Sequence, residues 1–427
     1  MALRLLAVGD LHLGRQPGSL PEDLRERDAA RAHGPAEALR RLVQRAIEES
    51  VDAVLLAGDL VEDEQDFFEA YRDLHRAVSD LTHAGIRVIG VAGNHDVQVL
   101  PRLADELPDF HLLGRKGQWE TLTLGGGDGT EVLLHGWSFP ESEVRRSPLA
   151  GKTFATDHRL QLGLLHCDRD QSGSYHGPVT TAELNNAGLD AWLLGHIHKP
   201  DSLSPQSPSG YLGSVTALRR TESGARGPWL YTLSNTAIES VEQWLLAPLR
   251  WETLEVDLTG LQQADEIAGR LMQALQTRAA RLVAEGARAD AVGLRVDFTG
   301  RTGLREQCQR ILENEQLDHI PAEGMRWFVG RWQFHTRPDL DLTALAKEKS
   351  PAGLLAERLR LLDEAPENAQ RRALIERARD RLAEVAADSA WQPLGNPQPD
   401  DRQTEVWLRE SLSMAIERLL AQREAVR

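Results

Sequence analysis

The sequence predicts an α/β protein built on a mostly parallel sheet, followed by a small α+β unit and a helical C-terminal region. Three observations carry that reading. Short aliphatic runs alternate with stretches of helical period through the first half of the chain. From residue 251 the order becomes strand, helix, strand, helix, strand. Beyond Pro338 only helical periodicity remains.

Taken in order, Leu3–Val8 reads as a strand that ends at Gly9-Asp10. Residues 36–49 carry Leu39, Leu42, Val43, Ala46 and Ile47 at helical spacing. A second strand at 53–57 ends at Gly58-Asp59, and 67–81 is helical. A third strand, 87–91, runs into Gly93-Asn94-His95-Asp96. Residues 119–124 and 131–136 read as a hairpin across a glycine-rich turn. Strands at 160–165 and 191–194 each lead straight into histidine, and 211–212, Trp229–Leu233 and 238–245 close the domain. The second unit reads as strand 251–258, helix 261–285, strand 292–298, helix 304–314 and strand 326–334. Residues 391–402, rich in Pro, Gly, Asn, Gln and Asp, read as a linker before an amphipathic helix at 404–424. Trp407, Leu408, Leu412, Ala415, Ile416, Leu419 and Leu420 form the apolar stripe of that helix. The expected divisions are 1–248, 249–340 and 341–427.

Composition narrows the class. Hydrophobic residues make up 41% and charged residues 27%, as in an ordinary globular protein. No apolar run approaches the ~18 residues that cross a bilayer, so no membrane partner is expected. Two cysteines, Cys167 and Cys308, give no disulfide framework, and a reducing cytoplasm is the expected compartment. The net charge of −16 weighs against non-specific nucleic-acid binding, although bound divalent ions would add local positive charge.

Five short motifs share one placement, each just after a strand, where open α/β sheets put their ligand sites. They are Gly9-Asp10-Leu11-His12, Gly58-Asp59, Gly93-Asn94-His95-Asp96, Leu164-Leu165-His166 and Gly195-His196-Ile197-His198. Residues two apart on an extended segment point to one side, which pairs Asp10 with His12 and His196 with His198. Mixed carboxylate, imidazole and amide donors suit divalent manganese, iron or zinc. A carboxylate shared between two ions ~3.5–4 Å apart would clamp a phosphoryl displacement, and Asp59 is the natural bridge. Cys167, beside His166, reads as a small buried residue. Arg145, Arg146 and Lys152 could meet phosphates, but a solvated loop is the preferred reading, and Trp327 and Trp332 read as core rather than as stacking platforms.

This set, in this order, resembles the calcineurin-like metallophosphoesterase superfamily. Gly9-Asp10-Leu11-His12-Leu13-Gly14, His135-Gly136-Trp137-Ser138-Phe139 and Gly195-His196-Ile197-His198-Lys199-Pro200 resemble its SbcD-type DNA-repair exonucleases, and among them the YhaO-like branch. The resemblance is specific over about residues 1–245 and loose beyond. It implies a four-layer α/β/β/α sandwich with an α+β capping domain and a helical tail. It implies one ion on Asp10, His12, Asp59 and His198, and a second on Asp59, Asn94, His166 and His196. Manganese is the leading expectation, with iron or zinc as alternatives. It implies that His95 acts in the chemistry, with a metal-bridging hydroxide as nucleophile. Relatives often carry Asp or His three residues after the bridging Asp, in support of the catalytic histidine; here Glu62 stands there, with Asp63 next to it.

The function expected is a metal-dependent DNA nuclease in DNA repair, working with an SMC-like ATPase of the SbcC type that the terminal helix would dock. Packing of that helix on its own domain, or on a second copy of the chain, is the other reading of its stripe. A two-metal phosphatase or phosphodiesterase on a small molecule or phosphoprotein is the alternative. A weakly active scaffold that regulates a partner ATPase is a third reading, opposed by the full ligand set and by His95.

Overall fold

The computed structural model describes residues 2–63, 66–127, 129–337, 341–386 and 399–425. The first half runs β1 (Leu3–Val8), α1 (Arg27–Ala32), α2 (Pro35–Glu48), β2 (Ala53–Leu56), α3 (Phe67–His83), β3 (Arg87–Gly90), α4 (Leu100–Glu106) and β4 (Phe110–Leu112). Next come β5 (Glu120–Gly125), β6 (Glu131–Trp137), β7 (Leu160–His166), α5 (Thr181–Asn186), β8 (Ala191–Gly195), β9 (Gly210–Tyr211), β10 (Trp229–Leu233) and β11 (Ile238–Gln243). Two sheets result. One has the order β11-β10-β1-β2-β3-β4, the other β5-β6-β7-β8-β9. Strands β1 to β4 are parallel, as are β6 to β9; β10, β11 and β5 are antiparallel additions.

The alternation of side chains along each strand sets the layers. Leu5 and Ala7 of β1 face Leu134 of β6, Leu162 and Leu164 of β7 and Leu193 of β8, in one buried cluster between the sheets. Leu6 and Val8 face the other way, onto Leu39, Leu42 and Val43 of α2 and Leu74 and Val78 of α3. The outer face of the second sheet buries Leu165, Trp192 and Leu194 with Leu184 of α5. The order is helix, sheet, sheet, helix, the four-layer α/β/β/α sandwich. Each buried Leu contributes ~1.5–3 kcal/mol, so a one-residue register slip in β1 would misplace a whole face.

The remainder runs β12 (Leu249–Asp257), α6 (Glu266–Ala284), β13 (Ala291–Thr299), α7 (Arg305–Asn314), β14 (Ile320–Ala322) and β15 (Met325–Phe334), then α8 (Leu342–Leu345), α9 (Pro351–Leu361), α10 (Ala369–Ala386) and α11 (Asp401–Ala425). Its strands form one sheet in the order β12-β13-β15-β14. The chain divides into two compact units. The first holds Met1–Thr253, Thr277–Arg295 and Leu317–Gly330; the second holds Leu254–Gln276, Val296–Gln316 and Arg331–Arg427. Within the first, Trp251, Ala291 and Phe328 are buried with Leu20, Leu24, Ala30 and Ala217. Trp327 is fully buried, as core, while Trp332 is half-buried. Within the second, Leu412 and Ile416 of α11 are buried against Ala356 and Leu359 of α9 and Leu374 and Ile375 of α10.

That packing decides between the two readings of the stripe of the terminal helix, in favour of its own domain. The apolar stripe of the terminal helix is spent inside its own bundle, and Leu408, Leu419 and Leu420 lie against the same cluster. Trp407 is the exception, on the exposed side. Most of the 391–402 stretch lies outside the described residues. Both cysteines are free and buried. Among the described residues, no helix is long and apolar enough to cross a membrane.

Candidate metal centre

The five motifs all fall at the carboxyl ends of parallel strands β1, β2, β3, β7 and β8. Both sheets point those ends the same way, so ligands from the two layers meet. Backbone bonds lock the loops together: Leu11 N and His12 N donate to the Asp59 carbonyl at 3.1 and 2.9 Å. The approach is tight. Gly58 has φ +90°, and a Cβ there would lie 2.6 Å from His166 Nδ1; a Cβ at Gly93 would lie 2.2 Å from Asp59 Oδ1. His12, Asp59 and His196 themselves have φ of 51°, 49° and 102°. Each left-handed non-glycine costs ~1–3 kcal/mol, so packing elsewhere sustains a strained arrangement at these three positions.

The side chains gather into two adjoining groups. In the first, His12 Nε2 and His198 Nε2 are 3.0 Å apart, with Asp10 alongside. In the second, His166 Nε2 lies 3.1 Å from Asn94 Oδ1, 3.2 Å from His196 Nδ1 and 3.3 Å from Asp59 Oδ2. Asp59 Oδ2 is also 4.0 Å from His12 Nε2, so one oxygen faces both groups. The other oxygen, Oδ1, accepts a hydrogen bond from His95 N at 3.0 Å.

Outer partners fix what the inward atoms can be. His166 Nδ1 meets the Ala57 carbonyl at 3.0 Å and must donate to it. His198 Nδ1 donates to Glu222 at 2.9 Å, and His196 Nε2 to Asp168 at 3.1 Å. His12 Nδ1 lies 2.7 Å from Glu62 Oε2. With those protons on the outside, each neutral imidazole turns a lone pair inward. Lone pairs then face lone pairs and carboxylate oxygens at 3.0–3.3 Å. The inner oxygen of Asp10, Oδ2, is buried with no hydrogen-bond partner, while Oδ1 accepts from His196 N at 2.9 Å. Protons relieve some of these contacts; a cation in each group relieves all of them. The donor set therefore fits two divalent ions.

The carboxylates of the site favour positive charge at its centre. Burial lowers the basicity of His166, but Asp59, then Asp10 and the Ala57 carbonyl, outweigh it and raise the group to about 9. Burial would raise Asp59, yet His166, with lesser help from His12 and His95, holds it below the usual carboxylate range. Burial likewise opposes the charge of Glu62, and His12 with Arg15 brings it down to about 2. Asp96 is fully buried; burial and the charge of Asp59 push it up to about 7, while it accepts from Leu60 N at 2.6 Å and Gly93 N at 2.8 Å. It ties the Asp59 loop to the Asn94 loop. Burial pushes the Cys167 thiol up, which leaves it inert.

His95 stands apart. It is exposed, its ring lies edge-on to His12 at 5.1 Å, and its Nδ1 donates to the Glu62 main-chain carbonyl at 3.1 Å. The Glu62 carboxylate meets His12 and, at 3.3 Å, Arg15, and one of its oxygens lies within 4.8 Å of a His95 ring nitrogen. Three polar residues at the centre carried no assigned role in the sequence reading: Asp168, Glu222 and His176. Asp168 stands two residues after His166, a weak signal. Glu222 and His176 come from loops whose approach no local pattern reveals.

A cluster of four imidazoles, two carboxylates and an amide, buried or half-buried at the strand ends of a four-layer sandwich, defines a metal-dependent phosphoesterase. Residues 3–200 match the calcineurin-like phosphoesterase family, and residues 251–328 match the middle domain of the metallophosphoesterase YhaO. Residues 3–200 are a calcineurin-like metallophosphoesterase domain. It is 29% identical over 225 residues to the uncharacterized metallophosphoesterase YhaO of Bacillus subtilis (strain 168), covering 52% of this chain and 55% of that one. It is 26% identical over 278 residues to the DNA double-strand break repair protein Mre11 of Haloferax volcanii, covering 63% and 58%. Against Mre11 of Halobacterium salinarum the identity is 34% over 251 residues, covering 56% and 58%. The chain spans a little over half the length of these curated relatives.

Proposed function

We propose that the chain is a metal-dependent DNA nuclease of DNA repair, cutting phosphodiester bonds at a two-ion centre. The observation that carries the reaction is the inward convergence of the lone pairs of His12, His166, His196 and His198 around Asp59. Relatives named as DNA double-strand break repair proteins support the substrate.

In this reading Asp10, His12, Asp59 and His198 hold one ion, and Asp59, Asn94, His166 and His196 the other. Manganese fits the mixed oxygen and nitrogen donors, as do iron and zinc. When bound, the ions supply Lewis acidity toward the phosphoryl group. The chain's own residues do the rest. Glu62, Asp168 and Glu222 orient the ligand rings through their outer nitrogens. His95, its Nδ1 anchored on the Glu62 carbonyl, keeps Nε2 free to hold a proton for the leaving oxygen. A partner ATPase of the SbcC type belongs to the same reading. Val406, Trp407 and Met414 are the exposed apolar groups of α11 free to meet it.

The test assays the full chain with manganese on linear double-stranded DNA, single-stranded DNA and bis(4-nitrophenyl) phosphate, side by side. Cleavage of DNA well above the ester, per unit kcat/KM, is the expected result. Ester hydrolysis without DNA cleavage would instead assign a phosphatase or phosphodiesterase of small substrates.

A further inference from the structure

The loop between β7 and α5 brings a second set of groups against the centre. Asp168, which accepts from His196, also accepts from the Ser174 hydroxyl. His176 Nδ1 is 3.9 Å from the same carboxylate, and its ring lies 5.0 Å from that of His196. The backbone holds this loop on both sides. Asp168 N donates to the His176 carbonyl at 2.9 Å, and Val144 N to the Tyr175 carbonyl at 2.6 Å. Gly177 N returns to the Val144 carbonyl at 2.8 Å, so Val144 and His176 pair as a short parallel bridge.

On that pinned loop Tyr175 is 45% exposed. The Arg145 guanidinium lies over its ring, 3.9 Å from the centroid, and stays 65% exposed itself. Glu143 lies 3.3 Å from Arg145, Glu141 is exposed on the same segment, and Arg146 beside Arg145 is exposed as well. From the sequence alone, a solvated loop was the preferred reading of this segment over phosphate contact. The fold makes it an aromatic face with two cations, one residue from a histidine that touches the metal-site network, in a chain of net charge −16. A fixed, exposed aromatic ring beside guanidinium groups is the chemistry that stacks an unpaired base and meets its phosphate.

We propose that Tyr175, with Arg145, is a ledge on which an unpaired nucleobase of the DNA strand stacks beside the metal centre, with Arg146 meeting the backbone phosphate. The proposal rests on the nuclease reading. It makes the chain selective for single-stranded or frayed DNA, because a base still paired in a duplex offers no free face.

The test measures kcat and KM of the full chain with manganese on a short single-stranded oligonucleotide, and on the same oligonucleotide made abasic over its terminal nucleotides. Tyr175→Ala and Tyr175→Leu should raise KM on the normal oligonucleotide about tenfold with little change in kcat. The same variants should move KM on the abasic oligonucleotide by less than about twofold, as expected once the stacking partner is gone. Tyr175→Phe should behave as the unmodified chain. Equal losses on both substrates, or no loss on either, would overturn the ledge while leaving the nuclease. Failure of the unmodified chain to cut DNA while it hydrolyses bis(4-nitrophenyl) phosphate would overturn the nuclease reading and the ledge with it.

Discussion

At the scale of the residue, the outer hydrogen bonds matter as much as the inward donors. A neutral imidazole has one proton, and its outer partner decides where that proton sits. Glu222 does this for His198 at 2.9 Å, from 24 residues away in the chain. Glu222→Ala should therefore weaken binding of one ion by roughly 10–100-fold and leave the other nearly unchanged, which calorimetric titration with manganese would resolve into two steps. Parallel weakening of both ions would mean that Glu222 acts on the fold and not on one ring. His95 makes the opposite case. It faces solvent, so His95→Ala should retain both ions and lose phosphodiester cleavage by roughly 10²–10⁴-fold. Loss of metal with activity would assign it to the ligand set. The inward residues were legible in the sequence because each follows a strand end directly. Asp168, Glu222 and His176 were not, because a hydrogen bond made across folded loops leaves no local period.

At the scale of the element, long periodic segments were readable, as were the four-residue strands β2 and β3 that lead into ligand motifs, whereas the short helices and an edge strand were not. The strand at 3–8 and the helices at 35–48 and 67–83 carry enough apolar repeats to show their period. α1 and α5, six residues each, and β14, three residues, are too short to show any, and tertiary packing holds them. The terminal helix shows the limit of a stripe: it predicted burial correctly but could not say against what. One polar group on that helix is out of keeping with its site. Glu417 is half-buried with Oε1 unpartnered, and burial, aided by Glu306 against the pull of Arg305, pushes it up to about 7. The sign follows from that direction. Below the ordinary carboxyl value the group is neutral in both states and costs nothing. As pH rises toward 7 the unfolded state ionises and the folded state resists, so stability is lost across that window and stays lost above it. Glu417→Gln should thus raise the melting temperature at pH 8 and do little at pH 4.5, with a gain of about 1–2 kcal/mol after allowing for solvent screening at a partly exposed group. An equal shift at both pH values would show that charge is not the cause.

At the scale of the whole molecule, the catalytic body does not stop where its last ligand does. Trp251, Ala291 and Phe328 belong to the same buried cluster as Leu20 and Leu24, near the start of the chain. A chain ended at Pro248 loses all three, and each lost apolar side chain costs ~2–5 kcal/mol or more. Such a truncation is expected to melt far below the full chain or to fail to fold, and circular dichroism would show it; an unchanged melting curve would separate the two parts. The acidity of the chain also finds a place here. On the proposed nuclease reading, a net charge of −16 gives DNA little general attraction, so engagement would fall to the local positive charge of the ions and of Arg145 and Arg146. The central claim is a pair of ions sharing Asp59, and counting them tests it most directly. Elemental analysis of the manganese-loaded, desalted protein should give about two ions per chain. Asp59→Asn, which keeps shape but removes the shared charge, should bring that to one or fewer and abolish hydrolysis. One ion in the unmodified chain, or two active ions in Asp59→Asn, would contradict the account.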